Sequence, residues 1–143
     1  MQVLNLNING DTLGLSVLAN NLFEVENYRV EFPKTKWNLS TYIKELNCDL
    51  CNVFYFNDCL LNSGFVLYRK SFDQISIMQI AVRQKGLGFG ARLLSRFIDQ
   101  NLKVDIHLDV DKNNIPAIIL YKKLKFKTLS STSSQFRMSR FCK

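Results

Sequence analysis

IAVRQKGLGFGARLL, residues 80–94, joins the end of an apolar run to the start of an amphipathic one through three closely spaced glycines, Gly86, Gly88 and Gly90. The run before it, Gln74–Val82, is apolar at Ile75, Ile77, Met78, Ile80, Ala81 and Val82, which predicts a central strand covered on both faces. After the glycines, ARLLSRFIDQNL pairs Leu93 with Phe97 and Leu94 with Ile98 at i,i+4, so a helix with one apolar face is expected. A strand that ends in glycines and opens a helix aims several backbone N–H groups at one point. Together with the positive end of the helix dipole they form a cradle for a diphosphate. Lys85 offers a charge at the loop's start. A tight strand-to-helix turn without a ligand is the plain alternative. Gly86-x-Gly88-x-x-Ala91 with Asp105 about twenty residues on also meets the relaxed dinucleotide pattern. That pattern normally opens a repeated βαβ array, for which too few residues remain.

Downstream, Val104, Ile106, Leu108 and Val110 alternate with Asp105, His107 and Asp109, a strand with one apolar and one polar face. Residues 114–124 return to helix, with Ala117, Leu120, Tyr121 and Leu124 at i, i+3, i+4 and i+7. Lys125–Leu129 and Gln135–Phe141 read as a closing strand pair around SSTSS. Upstream, Gln2–Ile8 alternates as a first strand, and residues 12–23 carry a loose helical face. Asn38 is placed to cap a short helix through Leu46. Asn52–Phe56 and Gly64–Arg69 read as strands joined by a turn near Asn57-Asp58 or slightly later.

The chain has 143 residues, 47% hydrophobic and 22% charged, which excludes disorder and predicts one domain with a core of its own. No stretch approaches the ~18 apolar residues of a membrane span, and the start lacks the pattern of a secretion signal. A cytoplasmic protein with no membrane partner is expected, as a monomer or homodimer. The four cysteines, Cys48, Cys51, Cys59 and Cys142, are expected as reduced, buried or half-buried thiols, since Cys48-x-x-Cys51 has no second ligand pair. Asp105 and Asp109 lie ~13 Å apart on an extended strand, too far to share a metal with His107, so no metal site is expected. Charge is uneven: residues 1–71 hold six Lys/Arg against seven Asp/Glu, net −1, and residues 72–143 hold thirteen against five, net +8. A polyanion would meet the C-terminal half, as a phosphate-rich cofactor or a nucleic acid. That half lacks the interleaved aromatic and basic residues of a stacking platform, which ranks nucleic acid below the cofactor.

Residues 108–126 read LDVDKNNIPAIILYKKLKF. With the glycine loop, they resemble the GNAT family of acetyl-CoA-dependent N-acetyltransferases. That family's cofactor loop runs Arg/Gln-x-x-Gly-x-Gly/Ala, and its later block runs Asn-x-x-Ala-x-x-Leu-Tyr-x-x-x-Gly-Phe. Here the later block is Asn114, Ala117, Leu120 and Tyr121, then Lys125 in the glycine's place and Phe126. Two loop alignments fit, Arg83-x-x-Gly86-x-Gly88 and Lys85-x-x-Gly88-x-Gly90. The second is preferred because GARLL then falls where the family's helix starts. The resemblance covers roughly residues 74–127 and implies a mixed α/β fold, a mostly antiparallel sheet of about seven strands with about four helices. It further implies one domain over 1–143, with 1–72 on the acceptor side and 73–143 binding acetyl-CoA.

By the same resemblance, the strand edge Ile80, Ala81, Val82 pairs with the cofactor's pantetheine arm as an added strand would. A backbone N–H near Val82 would then face the thioester oxygen and stabilise the developing oxyanion. Backbone donors around Leu87, Gly88, Phe89, Gly90 and Ala91 would hold the pyrophosphate, and Lys85, Gly86 and Asn114 are further cofactor-binding residues. Tyr121 matches the general acid that protonates the departing thiolate. A phenol near 10 is a weaker acid than a thiol near 8.5, so the site must lower the tyrosine's pKa or use only a strong hydrogen bond. The alternative for Tyr121 is a helix anchor on the apolar face. The surroundings of Asp109 resemble bacterial ribosomal-protein-alanine N-acetyltransferases, which carry a Glu there, and this makes Asp109 the leading base. His107, two residues away on the polar face, is the second candidate.

The resemblance leaves the acceptor open. Glu26, Phe32, Pro33 and Trp37 follow that subfamily's order near the acceptor groove, with extra residues before Trp37. No tyrosine follows Tyr121 in the last loop. The expected reaction is acetyl transfer to a primary amine, first a protein N-terminal α-amine, which near pKa 8 needs only a weak base. A small polyamine or aminoglycoside-like amine drawn by Glu24, Glu26 and Glu31 is the alternative. An RNA-directed enzyme or a non-catalytic CoA-binding protein comes behind these.

Overall fold

In the computed structural model, residues 2–6, 21–23, 37–48, 50–57, 63–83 and 88–142 are described. Seven strands form one sheet: β1 Gln2–Leu6, β2 Cys51–Asn57, β3 Ser63–Lys70, β4 Gln74–Val82, β5 Asp105–Asp111, β6 Lys127–Ser131 and β7 Gln135–Arg140. Their order is β1-β2-β3-β4-β5-β7-β6, antiparallel at every pairing except β4 with β5. Among the described residues the full helices are α1 Leu39–Leu46, α2 Phe89–Asp99 and α3 Ile115–Lys123, and residues 21–23 are also helical. The expected strand Gln2–Ile8 is described to Leu6. The expected helix over 12–23 and the β2–β3 turn at 58–62 otherwise lie outside the described residues.

Each face of the sheet carries its own apolar cluster. On one, Ile75, Ile77, Ile106, Leu108, Val110 and Met138 pack against Leu93, Leu94, Phe97 and Ile98 of α2 and Ile118 of α3. All four α2 residues of the predicted i,i+4 pairs are buried, and Phe97 makes edge contacts with Phe54 and Tyr68 at 5.4 and 4.8 Å. On α3 the register differs from expectation. Ile118 is the buried residue, while Ala117, Leu120, Tyr121 and Leu124 flank it half-buried. On the other face, Tyr42 and Leu46 of α1 and Leu22 cover Cys51, Val53, Phe65 and Leu67. Asn38 caps α1 as its position predicts, its Oδ1 accepting the Thr41 N–H at 2.8 Å. Arg69 donates to both carboxylate oxygens of Glu45 at 2.6 and 2.7 Å, tying α1 to β3. Cys51 is buried and Cys48 half-buried, but Cys142 is exposed, contrary to the expectation for it. It follows the last strand, beyond either cluster. Cys59 lies outside the described residues.

β4 carries the feature that shapes the site. On β3, Tyr68 and Leu67 are adjacent, yet they face Ile77 and Gln79, so Met78 is an extra residue, a bulge. The bulge reverses the alternation. Ile75 and Ile77 face α2 before it, Ile80 and Val82 after it, with Ala81 turned to the α1 side. The parallel ladder to β5 ends at Ile77 with Leu108, one residue before the bulge. Bulges bend the strand that holds them and raise its twist, so Met78–Val82 leave β5 while Asp109–Asp111 continue along β7.

Candidate acetyl-transfer site

Where β4 and β5 part, Met78–Val82 pair with no strand on the β5 side among the described residues. A strand edge of this kind presents backbone donors and acceptors to an extended ligand. Ile80, Ala81 and Val82 lie on it, as expected. Behind it, Gly64 of β3 sits so close that a Cβ there would meet the Ala81 carbonyl oxygen and Val82 Cγ1 at 2.9 Å each. Gly64 therefore fixes the height of this edge. The sequence reading did not single it out, because a glycine in an apolar strand carries no mark of what lies opposite.

α2 starts at Phe89, directly after Gly88 and one residue before the GARLL start of the preferred loop alignment. Gly88 is the N-cap with φ of 78°, a left-handed conformation that a side chain disfavours. No side chain among the described residues caps this end, and Arg92 donates its N–H to the Gly88 carbonyl at 3.2 Å. Helix geometry aims the amides of Gly90 and Ala91 outward, and a Cβ on Gly90 would meet nothing within 4 Å among the described residues. The first turn holds no acidic residue. This end can receive an anion. Arg92 stacks on the Phe89 ring at 4.6 Å. Lys85, Gly86 and Leu87 lie outside the described residues.

Asn114 caps α3, its Oδ1 accepting the Ala117 N–H at 3.3 Å. The cap occupies the side-chain carbonyl and leaves its amide N–H groups for another partner. At the other end, the helix closes through the Phe126 N–H to the Tyr121 carbonyl at 3.0 Å and the Lys125 N–H to the Lys122 carbonyl at 3.1 Å. This is a Schellman closure. Its left-handed residue is Lys125, with φ of 75°, where glycine normally stands. The Phe126 ring lies 5.7 Å from the Tyr121 ring, so the closure also holds the tyrosine in place.

Tyr121 packs on the α2 side of the sheet. Its residue surface is half-buried, but the crowded phenol is desolvated and its pKa pushed up to about 12. Of the two routes the sequence leaves open, a lowered pKa or a strong hydrogen bond alone, burial disfavours the first, because it destabilises the phenolate.

Asp109 stands on the opposite face, at the first β5 position beyond the ladder to β4. It is exposed, and Nη1 of its cross-strand neighbour Arg137 lies 3.5 Å from it. One step along the same face, His107 Nδ1 shares a hydrogen bond with Oγ of the fully buried Ser139. Asp105 accepts the Cys142 N–H at 2.8 Å, which holds its carboxyl below the usual range and gives it a structural task at the chain's end. The structure therefore separates the candidates: acid on one face of the gap, bases on the other. Trp37 packs on Tyr42 at 5.2 Å, on the α1 side. Glu24, Glu26, Glu31, Phe32 and Pro33 lie outside the described residues. No group of three or more His, Cys, Asp or Glu able to hold a metal ion occurs among the described residues, nor any helix long and apolar enough to cross a membrane.

Compared with known proteins, this architecture has clear counterparts. The ribosomal-protein-S18-alanine N-acetyltransferase from Escherichia coli superposes with a TM-score of 0.74 at 17% identity, over 98% of this chain and 94% of that one. The Campylobacter jejuni N-acetyltransferase PseH gives 0.67 at 16% identity, over 97% of each chain. The PaiA N-acetyltransferase from Thermoplasma acidophilum, crystallised with coenzyme A, gives 0.56 at 14% identity over 99% of each. The chain has the GNAT N-acetyltransferase fold, with the seven-stranded, mostly antiparallel sheet that the sequence resemblance implies. No protein-family profile and no curated protein sequence matches it.

Proposed function

We propose that this protein is an acetyl-CoA-dependent N-acetyltransferase that acetylates a primary amine, best a protein N-terminal α-amine. The observation that carries this reading is the parting of β4 from β5 at Ile77–Leu108, beside a glycine-capped helix end with outward amides. In this reading residues 73–143 hold the co-substrate and residues 1–72 shape the acceptor side. The edge at Ile80, Ala81 and Val82 takes the pantetheine arm, and the α2 end from Gly88 to Ala91 takes the pyrophosphate, aided by Lys85, Gly86 and Leu87. A coenzyme A complex of a protein with this fold supports it.

The chemistry follows from the two faces. The amine arrives on the polar face of β5 and attacks the thioester carbon; the C–N bond forms and the C–S bond breaks. Asp109, through water, takes the proton that the amine loses. Tyr121 stays neutral at physiological pH and approaches from the other face as hydrogen-bond donor to the sulfur. Complete transfer from a phenol at about 12 to a free thiolate near 8.5 would be uphill by about 5 kcal/mol. The tyrosine therefore assists by hydrogen bonding, and solvent completes protonation of the thiol.

Incubation with acetyl-CoA and a panel of α-amine peptides, polyamines and aminoglycosides, read by mass spectrometry, tests the proposal. A peptide gaining one acetyl at its N-terminus is the expected result, with the rate reduced at least tenfold in Tyr121→Phe. Acetylation of small amines alone would remove the peptide acceptor, and no binding of coenzyme A by calorimetry would remove the enzyme.

A further inference from the structure

β7 turns Phe136 and Met138 to the α2 and α3 side of the sheet. Arg137 and Ser139 therefore lie on the opposite face, in register with Asp109 and His107 of β5. Arg137 is about half in solvent, its side chain 47% exposed. From residue 112 to the end the chain has no Asp or Glu, so β6 and β7 bring no acid to this face. Its counter-ions can come only from the aspartates of β5, and two of these are engaged elsewhere. Asp105 accepts the Cys142 N–H at 2.8 Å, and Asp111 accepts the Asn113 N–H at 2.7 Å. Asp109, the base of the proposed reaction, meets Arg137 through one contact of 3.5 Å.

Arg69 shows what a committed pair looks like in this chain, with both carboxylate oxygens of Glu45 at 2.6 and 2.7 Å. A guanidinium carries five donors in a planar fork, and a carboxylate fills that fork through two parallel bonds. At Arg137 the fork holds one long contact. Its other neighbours are neutral: Ser130 opposite it on β6, and Gln135 and Ser139 along β7. Ser139 is buried and shares its hydroxyl with His107 Nδ1. Lys127 stands one step along, opposite Ser139 rather than Arg137. A single fork among neutral neighbours suits one carboxylate, whereas a phosphate dianion would ask for a second cation. The Gly88–Ala91 end of α2 lies on the other face of the sheet, so the co-substrate's pyrophosphate is not the partner of Arg137.

We propose that Arg137 selects the acceptor, favouring a peptide with an Asp or Glu side chain at its first or second residue. This rests on the acetyl-transfer reading and names the substrate class of the same site. Consecutive Cα atoms of a peptide lie about 3.8 Å apart. An amine held near Asp109 through water thus leaves its first two side chains within reach of a guanidinium that already touches that carboxylate. A cationic acceptor meets the same guanidinium as repulsion, which turns polyamines and basic peptides away.

The test compares kcat/KM for acetylation of peptides that begin Ala-Ala, Asp-Ala, Ala-Asp, Ala-phosphoserine or Ala-Lys and are otherwise identical. A half-exposed, charge-assisted fork is expected to favour the better acidic peptide over Ala-Ala by about tenfold, chiefly in KM. The two aspartate peptides show which residue carries the carboxylate. Arg137→Gln should bring that ratio close to one, and Arg137→Glu should reverse it in favour of Ala-Lys. An acidic-to-neutral ratio of one in the wild type, or a ratio unchanged in Arg137→Gln, would overturn the proposal and leave the acetyltransferase standing. Preference for phosphoserine over aspartate would overturn the carboxylate assignment. If coenzyme A binds by calorimetry and no peptide is acetylated, the peptide acceptor falls and this selectivity falls with it.

Discussion

Replacing Lys125 by glycine should stabilise the protein. The residue sits at φ of 75° in the closure of α3, held there by the Lys125–Lys122 and Phe126–Tyr121 backbone bonds of 3.1 and 3.0 Å. A Cβ in that conformation crowds the following carbonyl at a cost of about 1–2 kcal/mol. Glycine removes this but adds about 0.4–1 kcal/mol of unfolded-chain entropy. The net gain is about 0.5–1 kcal/mol, or roughly 2–4 °C in melting temperature for a chain of this size. Lys125→Ala is the control, because it removes the same charge and keeps the Cβ; its change should stay within about 0.5 kcal/mol. Urea and thermal melts of the three proteins decide the matter. If the alanine variant gains as much as the glycine one, relief of charge repulsion is the cause and the strain assignment is wrong.

Gly64→Ala puts a methyl group 2.9 Å from the Ala81 carbonyl oxygen and from Val82 Cγ1, and 3.2 Å from Leu93 Cδ2. We expect a loss of about 1–3 kcal/mol in stability and roughly tenfold weaker coenzyme A binding by calorimetry, since the displaced backbone is the proposed cofactor edge. Full affinity in a folded variant would show that the edge is not used. For Tyr121, the folded pKa of about 12 stands above the ordinary value near 10. The neutral phenol is favoured in the fold, so its contribution is fully present below pH 10 and is lost as pH rises to 12. The loss is at most about 3 kcal/mol. Stability curves of wild type and Tyr121→Phe should converge in shape below pH 10 and separate above it, with the variant falling less. Identical alkaline slopes would show that this phenol ionises like an exposed one.

Much of the second half of the fold can be read from short-range pattern. Gln74–Val82 is bounded as the apolar run predicts, and Asn38 caps its helix because an amide one residue before an apolar period has a local reason to do so. The glycines mark the helix start to within one or two residues, since the helix begins at Phe89, although Gly88 alone shows the positive φ among the described glycines. Other features follow from pairing and leave no local trace. ISIMQIAV reads as a strand apolar on both faces, whereas Met78 is a bulge that reverses its alternation, defined only by Leu67 and Tyr68 opposite. Arg137 meets Asp109 through a register set 28 residues away. The last strand pair begins at Lys127 rather than Lys125 because Lys125 and Phe126 are spent on closing α3. Ile118 takes the buried place on α3, since Pro116 and the cap fix the phase of a helix whose apolar residues surround most of its circumference.

The raised phenol pKa and the proposed acid role appear opposed, but one cause serves both. Burial raises the pKa of Tyr121 because the phenolate is poorly solvated between α3 and the sheet. A thiolate released into the same gap would be poorly solvated too, and its own pKa would rise with it. The mismatch of proton affinities is therefore smaller in the site than in water, and a hydrogen bond from a neutral phenol is at its strongest when both partners are shielded. The acceptor amine meets the reverse condition. Asp109 is exposed on the opposite face, where a positively charged amine stays solvated until it loses its proton. A sheet that opens between β4 and β5 supplies both environments at once, dry on the α3 side and wet on the other, and the Met78 bulge is what holds it open.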